Sequence, residues 1–199
     1  MKRASVLVAV LLSVGIVAVA VAAQAQEKAP AKAQAQAPAN AQAQAQDMGA
    51  AMKMSVVPQT PEWKQLLALV GNWEGTMEEG GQKMPATVDV RMTGDGSAIM
   101  HVMGKDSPYE MVTMIHPDGK RLLATHYCAA HNQPRMALVP SKAANQVAFT
   151  FVDGTNIGAG ETHMQGVVFT FVDADHHDEA WTSSGSSTPG LFTFTRKKQ

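Results

Sequence analysis

An all-β fold, an antiparallel up-and-down barrel of about ten strands preceded by one short N-terminal helix, is expected from three observations. Beyond residue 71 apolar side chains recur at a period of two, the pattern of half-buried strands. The breaks between these runs fall at Gly80-Gly81, Gly94-Asp95-Gly96, Asp118-Gly119, Asp153-Gly154 and Ser184-Gly185, the residue types that tight turns demand. No later segment has the period of a helix that could cover the sheet, and an uncovered sheet of that many strands normally closes to remove its edges.

The elements follow in chain order. Met1-Lys2-Arg3 is a short basic segment, and Ala4 to Ala23 carry no charge. The run is rich in Ala and Val and ends at Ala20-Val21-Ala22 and Ala23-Gln24-Ala25, small-residue sites suited to cleavage. Residues 1–23 therefore read as a secretory signal peptide, with an uncleaved membrane anchor as the alternative. No cysteine follows the run, which excludes a diacylated lipoprotein. Residues 24–56 begin with an Ala/Gln alternation broken by Pro30 and Pro38. Up to Asp47 they contain no Leu, Ile, Val, Phe or Trp to offset the entropy of ordering, so this stretch reads as a disordered tether.

The folded domain is expected over 57–199. Thr60-Pro61-Glu62 places a hydroxyl at an N-cap, proline at the first helical position and an acid in the first turn. Trp63, Leu66, Leu67 and Val70 then share one face of a short helix that Gly71 ends. Strands are expected at 72–79, 84–93, 97–104, 109–116, 121–128, 134–140, 145–153, 162–173, 178–184 and 190–197. Phe149-Thr150-Phe151-Val152-Asp153 recurs as Phe169-Thr170-Phe171-Val172-Asp173, and Phe192-Thr193-Phe194-Thr195 is similar to both. Each sets phenylalanine on one face and threonine on the other, as three half-buried strands of one barrel require.

Composition narrows the function. The whole chain is 45% apolar with a net charge of −1, but from Val57 onward 11 Lys or Arg stand against 15 Asp or Glu, a net −4. A mildly acidic domain lacks the basic face that nucleic acid requires. One cysteine excludes an internal disulfide and any thiolate-cluster metal site.

At Gly71-Asn72-Trp73-Glu74-Gly75-Thr76 the sequence resembles the calycin pattern shared by lipocalins, fatty-acid-binding proteins and nitrobindin-like barrels. The resemblance implies that Trp73 closes one barrel end and that Arg196, after Phe192-Thr193-Phe194-Thr195, stacks on it, a cation–π contact of roughly 0.5–2 kcal/mol. The stretch from Trp63 to Lys198 more closely resembles an uncharacterised family of exported bacterial lipocalin-like proteins, through Met111-Val112-Thr113-Met114 and Thr125-His126-Tyr127-Cys128-Ala129-Ala130-His131-Asn132-Gln133-Pro134-Arg135-Met136. That family implies a fold and a periplasmic or secreted location, and no activity.

The central hairpin carries the candidate site. A turn at Pro117-Asp118-Gly119-Lys120 sets His116 opposite Arg121 and Met111 opposite His126. Met111, Thr113, Ile115, Leu122, Ala124, His126 and Cys128 then share one face and Val112, Met114, His116, Leu123, Thr125 and Tyr127 the other, with His126 and Cys128 expected inside. Asn132 and Arg135 are expected near the rim. A pocket lined by Met111, Thr113, His126, Cys128, Asn132 and Arg135 suits a small hydrophobic or amphipathic molecule, since methionine makes adaptable walls and a few polar groups fix orientation. The competing reading is a core filled by its own side chains.

Two further readings are weaker. His101 with Met103, Met114 with His116, and His126 with Cys128 are same-face pairs of imidazole and sulfur, the donors copper prefers. Nitrobindin-like barrels bind haem through a histidine in their C-terminal region, but the last strand here has none, and His176-His177 fall in an expected turn after Asp173-Ala174-Asp175. No Gly-x-Ser-x-Gly, His-Glu-x-x-His or phosphate loop is present, so an enzyme is not expected. Glu74, Glu78 and Glu79 read as ordinary exposed carboxylates.

Overall fold

The computed structural model describes residues 57–198; the leader read at 1–23 and the tether read at 24–56 lie outside them. One short helix, α1 (Pro61–Leu67), precedes ten strands: β1 (Gly71–Glu79), β2 (Gln82–Thr93), β3 (Ala98–Met103), β4 (Met111–Asp118), β5 (Arg121–Tyr127), β6 (Gln133–Val139), β7 (Gln146–Thr155), β8 (Met164–Phe171), β9 (His176–Ser183) and β10 (Gly190–Arg196). Each strand pairs antiparallel with its chain neighbours, and β1 pairs with β10 to close the barrel. Every strand lies within two residues of its expected bounds, because turn chemistry and alternation agree along this chain.

Alternation decides what the interior holds. Val88 and Val90, Ile99, Ile115, Leu122 and Ala124, Met136, Val147 and Phe149, Val167 and Phe169, and Phe192 and Phe194 are buried from successive strands. Thr150, Thr193 and Thr195 face solvent, as the repeated Phe/Thr pattern requires.

The β4–β5 register differs from expectation. The pairs are Asp118↔Arg121 and Thr113↔His126, so the turn is two residues shorter than a Pro117–Lys120 turn would make it. Because side chains alternate with a period of two, a two-residue slip leaves every inward residue inward. It does change partners: Thr113, not Met111, lies opposite His126.

One end of the barrel is sealed. Thr60 Oγ1 accepts the Trp63 backbone N–H at 3.2 Å and starts α1, which buries Trp63 and Leu66 against the barrel end. Leu69, just beyond the helix, is buried with them, whereas Val70, expected on the same face, is exposed. The helix ends before Val70, so its 3.6-residue spacing no longer applies there. Trp73 Nε1 donates to Leu69 O at 2.7 Å, and the Arg196 guanidinium lies over the Trp73 ring, 4.0 Å from its centroid. Arg196 also donates to Ala68 O and Val70 O, each at 2.8 Å, and to Ala174 O at 3.1 Å. It ties the post-helix turn to the last two strands.

Two glycines make this seam possible. Gly71 turns the chain at a φ of +140°, where a Cβ would also lie 2.5 Å from Arg196 Nη1. At Gly75 a Cβ would lie 1.8 Å from Thr193 O, inside the β10 backbone. Gly75→Ala should therefore open or distort the β1–β10 seam and lower the unfolding free energy by about 3 kcal/mol or more, measured by urea denaturation; an unchanged midpoint would refute this account of closure.

Candidate functional site

Beneath the sealed end the interior becomes polar, and three alternate residues of β9 supply most of that polarity. His177, Glu179 and Trp181 point inward, separated by Asp178 and Ala180. Glu179 Oε1 lies 2.9 Å from His101 Nε2, reaching across from β3, and 3.1 Å from His177 Nε2. Trp181 Nε1 donates to Glu179 Oε2 at 2.8 Å. Burial alone would push the Glu179 carboxyl up, but the His101 charge and the hydrogen bonds from His101 and His177 outweigh it and hold it well below the usual carboxylate range. An ionised carboxylate only accepts, so both Nε2 atoms carry the proton.

The next layer is His126, on β5. Its Nδ1 lies 2.8 Å from Thr113 Oγ1, the cross-strand partner that the observed register provides. The ring packs against Trp181 at a centroid distance of 5.0 Å. Burial first, and the His101 charge second, push the imidazole down to about 4 from an ordinary 6.5. It is therefore neutral at physiological pH. Its Nε2 is buried without a hydrogen-bond partner among the described residues.

Above His126 the barrel opens. A cavity of about 120 Å³ is bounded by Met77, Met103, Met111 and Met164, with Trp181, Phe192 and His126 below and Glu79, Ser183 and Gly190 near the rim. The larger surface depressions lie outside the barrel, including the one beside Arg135 and Asp153.

The expected site residues separate on this frame. Met111 and His126 line the cavity, and Thr113 sits directly behind His126. Cys128 is only partly buried, at the end of β5, and is not among the residues lining the cavity. Asn132 is buried but faces the next loop, where its Nδ2 donates to Thr162 O at 3.0 Å. Arg135 is on the outer face, paired through its Nε to Asp153 Oδ1 at 2.6 Å, because it stands opposite outward-facing Thr125. It is a surface ion pair and makes no rim contact with the interior. Glu74 and Glu78 are exposed, as expected.

The largest correction concerns His176-His177. Both belong to β9, and His177 is fully buried against Trp73 and Phe194 while His176 alone is exposed and paired to Asp173. The turn is completed by Asp173 to Asp175, so the strand starts two residues earlier than expected. Glu179, Trp181, Met77 and Met164 belong to no motif that sequence reasoning singles out, although the alternation His177-x-Glu179-x-Trp181 marks a strand with one polar-aromatic face.

The donor set does not fit haem. His101 and His177 spend their Nε2 atoms on Glu179, and the space above His126 is far too small for a porphyrin. The expected copper pairs do not assemble either: Met114 and His116 lie on the face of β4 opposite inward-facing Thr113 and Ile115, and Cys128 stands apart from the cavity. Among the described residues no group of three or more His, Cys, Asp or Glu is placed to hold a metal ion.

No protein-family model and no curated protein matches the sequence. Among solved structures, the chain is similar to Rv2717c from M. tuberculosis, with 11% identity and a TM-score of 0.47 over 71% of this chain and all of that one. It is also similar to a DUF3598 protein of unknown function from Nostoc punctiforme, with 12% identity and a TM-score of 0.47 over 72% of this chain and 51% of that one. This chain thus spans about half the length of the Nostoc protein. A redesigned β-barrel aligns at 16% identity and a TM-score of 0.33 over 67% of this chain and 96% of that one. The assignment as a closed ten-stranded antiparallel barrel rests on the strand pairing itself.

The lowered His126 value has a pH signature. Between pH 6.5 and about 4 the unfolded chain binds a proton at this residue and the folded chain does not, so stability falls as pH drops through that window. A shift of this size corresponds to something on the order of 3 kcal/mol. Chemical denaturation across the window should show a shallower pH slope for His126→Gln than for the wild type; identical slopes would mean that His126 is not held neutral.

Proposed function

We propose that this protein is a small-molecule-binding barrel whose site is the methionine-lined mouth above His126. The cavity carries the reading, because it joins an apolar wall to one buried, unpartnered imidazole nitrogen. At about 120 Å³ it is smaller than the roughly 300–1,000 Å³ of drug-sized pockets, and an engineered apolar cavity of about 150 Å³ admits benzene. The ligand is thus a compact apolar body, or the end of a longer amphipathic one, bearing a single hydrogen-bonding group for His126. Binding rather than catalysis is favoured, since His126 is committed to Thr113 and Cys128 is outside the cavity. The basic and apolar residues 1–23 support an exported, periplasmic or secreted carrier.

Phenol and benzene are suitable probes. Methionine-methyl NMR should show saturable phenol binding that shifts Met77, Met103, Met111 and Met164. Phenol should bind about tenfold more tightly than benzene, the worth of one hydrogen bond, and His126→Leu should erase that preference. At Gly190 a Cβ would meet nothing closer than 3.8 Å, so Gly190→Val should fill the mouth and abolish binding without unfolding the barrel. Unsaturable shifts, or binding unaffected by Gly190→Val, would defeat the reading.

A further inference from the structure

The wall of the mouth cavity is unusual in its chemistry. Ten residues line it, and none is Leu, Ile, Val or Ala, although those types fill the interior beneath. Its aliphatic surface is entirely thioether: Met77, Met103, Met111 and Met164, four of the nine methionines from Val57 onward. Hydrophobic burial alone gives no reason to segregate sulfur at one end of a barrel.

The register places these donors together. Met103 and Met111 are direct cross-strand partners on β3 and β4. His126 lies opposite Thr113, two residues along β4 from Met111, so His126 and Met111 are diagonal neighbours on the inner face, within reach of long side chains. Met77 and Met164 approach from β1 and β8. His126 Nδ1 is held by Thr113, and a proton on Nδ1 leaves the Nε2 lone pair free.

We propose that the barrel mouth is a Cu(I) site, in which His126 Nε2 and the thioether sulfurs of Met103 and Met111 hold one ion and Met77 or Met164 completes the set. Soft thioethers select Cu(I) over harder divalent ions, and imidazole suits it as a companion ligand. All of these donors are neutral, so the site gains a single positive charge, which Glu79 at the rim offsets. Trp181 adds an aromatic surface to the same cavity, where a cation gains further stabilisation. The proposal rests on the reading of this cavity as the binding site, but not on the organic ligand.

Ag(I), a redox-inert analogue of Cu(I), tests it on the full chain, with Cu(I) under anaerobic reducing conditions as the second arm. One equivalent should shift the methyls of Met77, Met103, Met111 and Met164, leave exposed Met84 unmoved, and quench Trp181 fluorescence, while Zn(II) should do neither. Met103→Leu with Met111→Leu conserves volume and should weaken Ag(I) roughly 100-fold or more while leaving the urea-denaturation midpoint nearly unchanged. His126→Leu should weaken both. Binding of Ag(I) at one equivalent without phenol binding would sustain the ion and remove the organic ligand. Phenol binding with no Ag(I) effect on the four methyls, or Ag(I) binding spread over Met84 and the N-terminal methionines, would overturn the Cu(I) site. Failure of both probes would overturn the cavity reading as well.

Discussion

Glu179 is a carboxylate with no access to water, and the organisation of the barrel interior follows from the need to satisfy it. Moving such a charge out of water costs several kcal/mol unless donors surround it. Here they come from His101 on β3 and from His177 and Trp181, its flanking neighbours on the same face of β9. Because His101 and Glu179 sit on strands that do not pair, their contact fixes the barrel's cross-section as well as its charge balance. The His101 charge then helps to keep His126 neutral, so the group at the cavity floor is tuned by one that never touches the cavity.

The two barrel ends divide the physical work. At one, Trp63, Leu66, Leu69 and Trp73 form an apolar plug latched by Arg196. At the other, flexible thioethers leave a small opening over a single imidazole. Between them the polar layer of His101, Glu179 and His177 isolates the plug from the mouth. The apolar plug and the proposed binding site therefore lie at opposite ends of the barrel, in keeping with a site supported by a rigid frame.

Much of this arrangement is legible in the sequence. Turn residues at every break and strict alternation fixed the strands, and Gly71-Asn72-Trp73 with Arg196 located the sealed end. Which residues of the central hairpin share a face was also readable, because sharing a face depends on parity and survives a two-residue error in register. The partner of His126 was not readable, since partners depend on the register itself and hence on turn length. Arg135 was misplaced for a related reason: its proximity in sequence to His126 says nothing about face across a turn. The inward roles of His177 and Glu179 are not legible in the sequence, because a buried charge runs against composition-based expectation, and only the geometry across the barrel shows what satisfies it.

The up-and-down order has a kinetic consequence. Nine of the ten strand pairings join chain neighbours and can form as local hairpins, whereas the β1–β10 pairing joins the two ends of the domain. Loop-closure entropy makes that pairing the costliest to nucleate, and contacts of such sequence separation slow folding. Arg196 reaches Ala68 across 128 residues, so the latch engages only once the last strand is present. The mouth, lined from β1, β3, β4, β5 and β8 to β10, is likewise completed at that final step. A chain lacking its last strand would hold nine strands in sequence and still leave β1 and β9 as open edges, the condition under which sheets recruit other chains.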